Sequence, residues 1–566
     1  SYIDTSNFNT SNVTNMRAMF FGSKATEIKG LENFDTSKVT TMVDMFASSY
    51  MKELDLSSFD TSNVTDMSNM FAWSYGVSSL DLSNFNTSNV NNMSGMFVKS
   101  NAASLDLSSF DTSKVTTMSS MFSQTNIKKL DLNNFDTGNV TNMFAMFIDA
   151  KTLTINLKNF NTSNVTNMAR MFENSNVSTL DLSSFDTSKV TTMGSMFYGA
   201  AATEIKGLEK FDTSKVTSMS SMFYEIKANS LELSNFDTSK VTNMSQMFEY
   251  SKIKNLDLSN FNTSKVTNMS HMFNNSEVTE IKGLENFDTS KVTDMSGIFN
   301  SSKLKSLNLS NFDTSNVTRM WGMFQSTNLS ILDLSNFNTS KVTDMSWMFN
   351  GASIVELKGL ENFDTSKVTN MRNMFSASKI KNLDLRNFNT SNVTNMSEMF
   401  QNVDISSLDV SGFNTSNVTN MNGMFNSIKA TSLDLSSFDT SNVTNMGRMF
   451  MYSKIKILDL SGFNTSNVTN MYGMFYYCKM PTLDLSDFDT NKVTDMGSMF
   501  DGCTNLKTIY VSDKFTTTNV TNSRDMFKGS SKLVGGFGTA FNGNYIDKTY
   551  ARIDTADSPG YFTLKN

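Results

Sequence analysis

A short internal repeat constrains this chain more than any other feature. A Phe that precedes a Thr-Ser-x-Val-Thr run falls at 8, 34, 59, 85, 110, 135, 160, 185, 211, 236, 261, 287, 312, 337, 363, 388, 413, 438, 463, 488 and 515. These 21 copies are spaced by 25 residues, stretched to 26 or 27 in a minority. Written out once, from Leu80 to Phe97, the unit reads LDLSNFNTSNVNNMSGMF, and a variable stretch of about seven residues leads to the next copy. A unit this small cannot close a core alone, but stacked copies bury one another. The 566 residues therefore read as one array rather than several globular domains. The repeat also absorbs the odd composition: 40 of 43 Met and 42 of 47 Phe occupy repeat positions, as packing residues would.

Within the unit, Leu80-Asp81-Leu82 alternates apolar and polar side chains, the period of a short strand. Stacking would pair each LDL in parallel with the copies above and below it. The Asn/Asp-Thr-Ser-Asn/Lys segment reads as a polar turn, because such side chains bridge nearby backbone groups. Met93-x-x-Met96-Phe97 has the i, i+3, i+4 spacing that one helical or 3-10 turn would aim inward. The Thr two residues upstream, as in Thr65 before Met67, is its expected N-cap. The predicted fold class is an α/β repeat solenoid, leucine-rich-repeat-like, with one short parallel strand and one short helical or 3-10 turn per coil. Helical segments take more room than strands, so the solenoid is expected to curve with its parallel sheet on the concave face. At roughly 4.8 Å per coil the sheet would extend about 100 Å. The expected organisation is a solenoid over 1–527 and a C-terminal capping segment over 528–566, whose Phe541, Tyr545, Tyr550, Tyr561 and Phe562 would cover the last coil. Tyr2-Ile3-Asp4 already sits at a strand position without a polar cap, which reads as a segment of a longer array. Four repeats carry Ile-Lys-Gly-Leu-Glu or a near copy instead of Leu-Asp-Leu-Ser, at Ile28 to Glu32, Ile205 to Glu209, Ile281 to Glu285 and Leu357 to Glu361. Their extra residue predicts a bulge or wider turn.

The LDLSxFxTSxVTxMxxMF unit resembles the repeat of BspA-like leucine-rich-repeat bacterial surface proteins, in the form found in mycoplasmas and lactobacilli. The likeness covers about residues 1 to 527, and the tail from Tyr550 to Thr563 resembles the segment that closes such arrays. The resemblance implies a secreted or wall-anchored bacterial protein that adheres to host matrix, epithelia or other microbes. It implies no catalytic residue. Composition points the same way. With one His, two Cys and a net charge of −7, the chain lacks the residues for a His- or Cys-rich metal centre and the basic excess of a nucleic-acid binder. Without a run of 18 apolar residues, it has no membrane-spanning candidate.

Three groups of residues are candidates for function. The middle residue of LDL forms an acidic row that includes Asp81, Asp106, Asp131, Asp409, Asp434 and Asp459. It reads either as a strip for basic partners or loosely bound calcium, or as a solvated row that prevents aggregation. Aromatics that differ between repeats form the second group: Trp321 and Trp347 on adjacent turns, Phe144 and Tyr472 at the place of Trp321, and Trp73, Tyr250, Tyr452, Tyr476 and Tyr477 in the variable stretch. Exposed aromatics make anchors for proteins and sugars. Finally, Cys478 and Cys503, 25 residues apart at one coil position, could be bridged outside the cell or fill a small-residue slot as buried thiols. The Lys/Asn column before Val, including Lys38 and Lys114, suggests turn structure with amide ladders between stacked Asn. No cofactor is required. The expected role is a non-enzymatic extracellular adhesin ectodomain for host matrix or epithelial protein, mucin, glycan or another microbial surface. The alternative is a structural spacer or self-assembling scaffold that projects a binding domain lying elsewhere on the native chain.

Overall fold

The computed structural model describes residues 1–565. They form two compact units, Ser1–Asp288 and Thr289–Asn566. Each unit is a parallel β-solenoid in which one sequence repeat makes one coil, with little helix. Among the described residues no helix is long and apolar enough to cross a membrane.

The LDL segments pair in parallel at the register of the repeat, so that Leu130 faces Ile155 and Leu180 faces Ile205. Their ladder is interrupted. In the first unit the strands pair only two by two; after the glycine-containing coils Glu27–Lys29 and Glu204–Lys206, which pair backward, Leu54-Asp55-Leu56 and Leu231-Glu232-Leu233 lie outside any strand. In the second unit Glu356–Lys358 pairs with Ile331–Asp333 and Leu383-Asp384-Leu385 is likewise unpaired. The predicted bulge takes the form of a left-handed Gly followed by a 3-10 turn, as in Gly207 (φ 93°) before Leu208–Lys210. A Cβ at Gly207 would lie 2.6 Å from the Leu182 and Ser183 backbone, so only glycine passes this close to the preceding coil.

A second ladder runs without interruption through each unit. One residue per coil, immediately before the first Met, bridges in parallel to its counterpart, from Asn15 to Asn268 in the first unit and from Asp294 to Asn522 in the second. The Met-x-x-Met-Phe segment that follows is a chain of tight turns and not the expected helical turn. The backbone donors explain why. Met42, Asp44, Phe46 and Ser48 donate their N–H groups to the next coil, at Asp66, Ser68, Met70 and Ala72. Only the intervening Met45 and Ala47 bond locally, to Met42 and Asp44. A helix needs every N–H for its own i→i−4 bonds, and here half are committed outward. The turns place non-glycine residues in left-handed backbone, among them Asp44 (φ 56°) and Ser48 (φ 57°). The expected N-cap is absent too, since Thr65 Oγ1 donates to the Thr40 carbonyl of the preceding coil at 3.2 Å.

The inward assignments hold although the helix does not form. Met42, Met45 and Phe46 are fully buried, as are their counterparts in the interior coils. The Phe rings stack coil upon coil, from Phe20 to Phe273 in the first unit, with centroids 5.5–5.9 Å apart. Such pairs add about 0.5–1.5 kcal/mol each to their area burial. A buried Thr column serves the polar side. Thr87 Oγ1 accepts from the Asp111 N–H and donates to the Asp111 carbonyl, both at 2.8 Å. One hydroxyl thus satisfies both backbone groups of a residue in the next coil. At the C-terminal end, Phe562–Leu564 adds a parallel strand to Thr508–Val511, and the Phe562 ring packs on Phe515 and Phe527. Tyr561 is fully buried, and the buried Asp554 accepts from the N–H groups of Phe537, Thr539 and Gly560. Burial opposes its charge, but these bonds and the Thr539 hydroxyl outweigh it and hold its carboxyl below the usual range.

Candidate recognition surface

The acidic row is exposed, and its carboxylates are engaged by their own turns. Asp81, Asp106, Asp409, Asp434 and Asp459 each accept the N–H of the Ser two residues on at 3.0 Å, and Asp131 accepts that of Asn133 at 3.1 Å. For Asp81, Asp106, Asp409 and Asp434 the Ser hydroxyl and then its N–H hold the carboxyl below its ordinary value. Asn156 and Asn308 make the same turn without charge. The row is therefore a column of Asx-turns. Among the described residues no group of three or more His, Cys, Asp or Glu converges as a cation site. In the glycine-containing coils Lys282 answers Asp257 at 2.7 Å, which lowers the Asp257 carboxyl strongly. The Lys/Asn column does not form amide ladders. Asn89 Nδ2 donates to the Ser62 carbonyl of the preceding coil at 2.7 Å, and Lys114 Nζ donates to Asn89 Oδ1 at 2.6 Å.

The aromatic candidates lie along the outer turns of the Met-Phe segment. Trp321, Trp347, Phe144 and Tyr472 are all half-buried. Trp347 stands one place further along its turn than Trp321, in left-handed backbone (φ 62°), with the Arg372 guanidinium 5.8 Å from its ring. Arg372 also pairs with Glu398 at 3.6 Å. Tyr472 lies 5.3 Å beneath the Arg448 guanidinium. Trp73 packs on Ala47, Ala72 and Val98 and covers core. Tyr452 sits against both Tyr476 and Tyr477, at 5.2 and 5.3 Å. Reading the sequence missed two further pairs, Tyr198 with Tyr224 (4.1 Å, parallel) and Tyr50 with Tyr75 (5.2 Å). Their signal was available: Tyr198 and Tyr224 stand at the same distance from their anchors Phe185 and Phe211. Desolvation, then the hydrogen bond to Tyr198, pushes the Tyr224 hydroxyl well above its ordinary pKa. The Tyr472 turn also borders a shallow groove of about 390 Å³ lined by Asn422, Arg448, Asn470, Asp495 and Asn522.

The repeat that builds this surface matches, over residues 2–110, 75–179, 98–206, 200–279, 274–357, 354–458 and 451–548, a family described as "Mycoplasma protein of unknown function, DUF285". The chain belongs to the DUF285 family. No curated protein matches it. Among solved structures it is similar to a chain in "Crystal structure of TLR13-ssRNA13 complex", at 14% identity over 90% of this chain and 79% of that one, with a TM-score of 0.20. A superposition that loose carries no argument about the coil.

In this DUF285 array the two cysteines meet. Cys478 and Cys503 are fully buried free thiols with their Sγ atoms 2.9 Å apart, and Cys503 Sγ donates to the Phe475 carbonyl. Burial, followed by the Cys478 contact, pushes the Cys503 thiol well up. They fill the slot that Ser49, Ala150 and Ser453 occupy in other coils, fully buried as well.

Proposed function

We propose that this DUF285 chain is a non-enzymatic extracellular adhesin ectodomain of the BspA-like, leucine-rich-repeat-like kind, displaying its outer turns to host matrix or epithelial protein, mucin, glycan or another microbial surface. One observation carries the reading. Where most coils place Gly, Ser, Ala or Asn on the outer turn, a few carry Trp, Tyr or Arg, and these depart from a repeat that is otherwise committed to its own backbone. Aromatic and arginine side chains are the usual anchors of recognition. Catalysis and a resident cofactor are no part of the proposal. A ligand array of matrix proteins, mucins and glycans tests the reading. Saturable binding to at least one class, without turnover, is the expected result; an array with no binding, or turnover of a substrate, overturns it.

The spacer reading draws on the near-identity of the coils and their continuous bridge column. It predicts an inert array in the same experiment, and concentration-dependent association in solution scattering.

A further inference from the structure

Tyr472 occupies the place immediately after the first Met of its coil, and the same place in the two flanking coils is Gly447 and Gly497. The neighbours therefore put no side chain of their own beside the ring, and amides from nearby coils take up those slots: an added Cβ at Gly497 would lie 2.7 Å from Asn522 Nδ2. Above Gly447 two side-chain amides converge: an added Cβ would lie 2.9 Å from Asn422 Nδ2 and 3.3 Å from Asn470 Nδ2. Asn422 Nδ2 reaches only a long contact to Asn445 Oδ1 at 3.5 Å. Asn470 spends its Oδ1 on the Tyr472 N–H at 2.8 Å, which turns its Nδ2 donors toward the groove. On the other side Asp495 Oδ1 is held by Gly497 N–H and Asn522 Nδ2, leaving its second oxygen as an acceptor.

Arg448 gives the groove its character. Arg17, Arg170, Arg319, Arg372, Arg386 and Arg524 all lie within 4 Å of a carboxylate. Among the described residues Arg448 and Arg552 have no such partner; Arg552 donates to the Pro559 carbonyl, whereas the exposed Arg448 guanidinium stands over Tyr472 with its donors unspent. A free guanidinium selects a carboxylate in bidentate geometry. A flat aromatic ring bordering the groove suits the C–H face of a pyranose, and amide donors paired with a carboxylate acceptor suit its hydroxyls. Inorganic phosphate would use the arginine but neither the ring nor Asp495.

We propose that this groove binds a carboxylate-bearing sugar, a uronic or nonulosonic acid residue of a glycan, with Arg448 on the carboxylate, Tyr472 against the ring, and Asn422, Asn470 and Asp495 on the hydroxyls. The proposal rests on the adhesin reading and names a ligand class for one part of its surface.

The test is calorimetric titration of the full chain with 3′-sialyllactose and trigalacturonate, each against its uncharged counterpart, lactose and the methyl-esterified trisaccharide. At least one acid should bind roughly tenfold or more tightly than its counterpart. Arg448→Ser and Tyr472→Ser should each remove roughly tenfold of that affinity without changing the melting temperature. Both variants install the residue that Ser120 and Ser119 supply at the same two places, so the coil retains a side chain it already uses. Equal binding of acid and neutral sugars, no binding of either acid, or variants that bind like the parent chain would each overturn the proposal. If the groove fails while the wider array of matrix proteins and glycans still registers binding, the adhesin reading survives; if that array is also silent, both fall.

Discussion

The two ladders of each coil differ in a way the repeat motif conceals. The LDL strands pair mostly two by two, and the ladder breaks at ordinary coils, as between Thr154–Asn156 and Thr179–Asp181, as well as after the coils built around Gly30, Gly207 and Gly359. The bridge before the first Met is a single residue wide, yet it runs through every coil of each unit. Continuity belongs to the side where backbone donors are shared and Phe rings stack. The leucine side tolerates interruption because its edge is open to solvent, which satisfies backbone groups left without a partner.

If that contrast is right, damage should be asymmetric. Phe147→Ala, in the middle of the stacked column, is expected to cost about 3–5 kcal/mol. Leu105→Ala, at a half-exposed strand position, should cost about 1–2 kcal/mol. Chemical denaturation of the two variants decides the matter, and equal losses would abolish the distinction. Next in size is Gly207→Ala, which combines left-handed backbone with the 2.6 Å approach to the preceding coil, for a loss of about 1–3 kcal/mol. Gly462→Ala is its control, since a Cβ there meets nothing within 4 Å, and its melting temperature should hold or rise slightly. Thr61→Val keeps the shape of the buried column but strips the Asn86 N–H and carbonyl of their shared partner, costing about 1–3 kcal/mol in the same assay. Thr61→Ser should recover most of it.

Smaller effects follow from the acidic turns. The carboxyls of Asp81, Asp106, Asp409 and Asp434 are depressed in the folded chain, so their contribution is present above the unfolded value near about 4 and disappears as pH falls through the folded values. Melting followed by circular dichroism should be flat from neutral pH to mildly acidic pH and decline below it. Asp81→Asn keeps the turn, as Asn156 does, but gives up the charge-assisted part, so it should melt slightly below the parent at neutral pH and converge with it in acid. The smallest expected change is at the thiols: Cys478 and Cys503 should react with a thiol reagent only after unfolding, and labelling of the native protein would show that their slot opens.

Much of this architecture is legible in the sequence because the repeat writes each position twenty-one times over. Periodicity gives the coil, the inward Met and Phe columns, and the irregular turn at the Ile-Lys-Gly-Leu-Glu copies. The turn geometry of Met-x-x-Met-Phe is not legible. Spacing i, i+3, i+4 aims three side chains inward whether the backbone is helical or folded into successive tight turns. What distinguishes them is whether alternate N–H groups leave for the next coil, a property of the stack and not of the segment. The Asp row was legible only in part for a similar reason: alternation shows that Asp81 points outward, but its bond to the Ser83 N–H depends on a turn two residues long. The groove around Tyr472 combines residues from several coils, and Arg448, indistinct within its own repeat, acquires meaning only from what stands next to it.

The outward donation of alternate N–H groups has a genetic consequence. A coil donates to its successor the same N–H groups that its predecessor donates to it, so on this side the seam between two ordinary coils is interchangeable with the seam between any other two. Unequal crossing-over that duplicates or deletes a whole period leaves every remaining seam intact. A gene of this kind can change its length in single steps of 25 codons without passing through a product that cannot fold, and selection is then free to act on which outer turns are carried along.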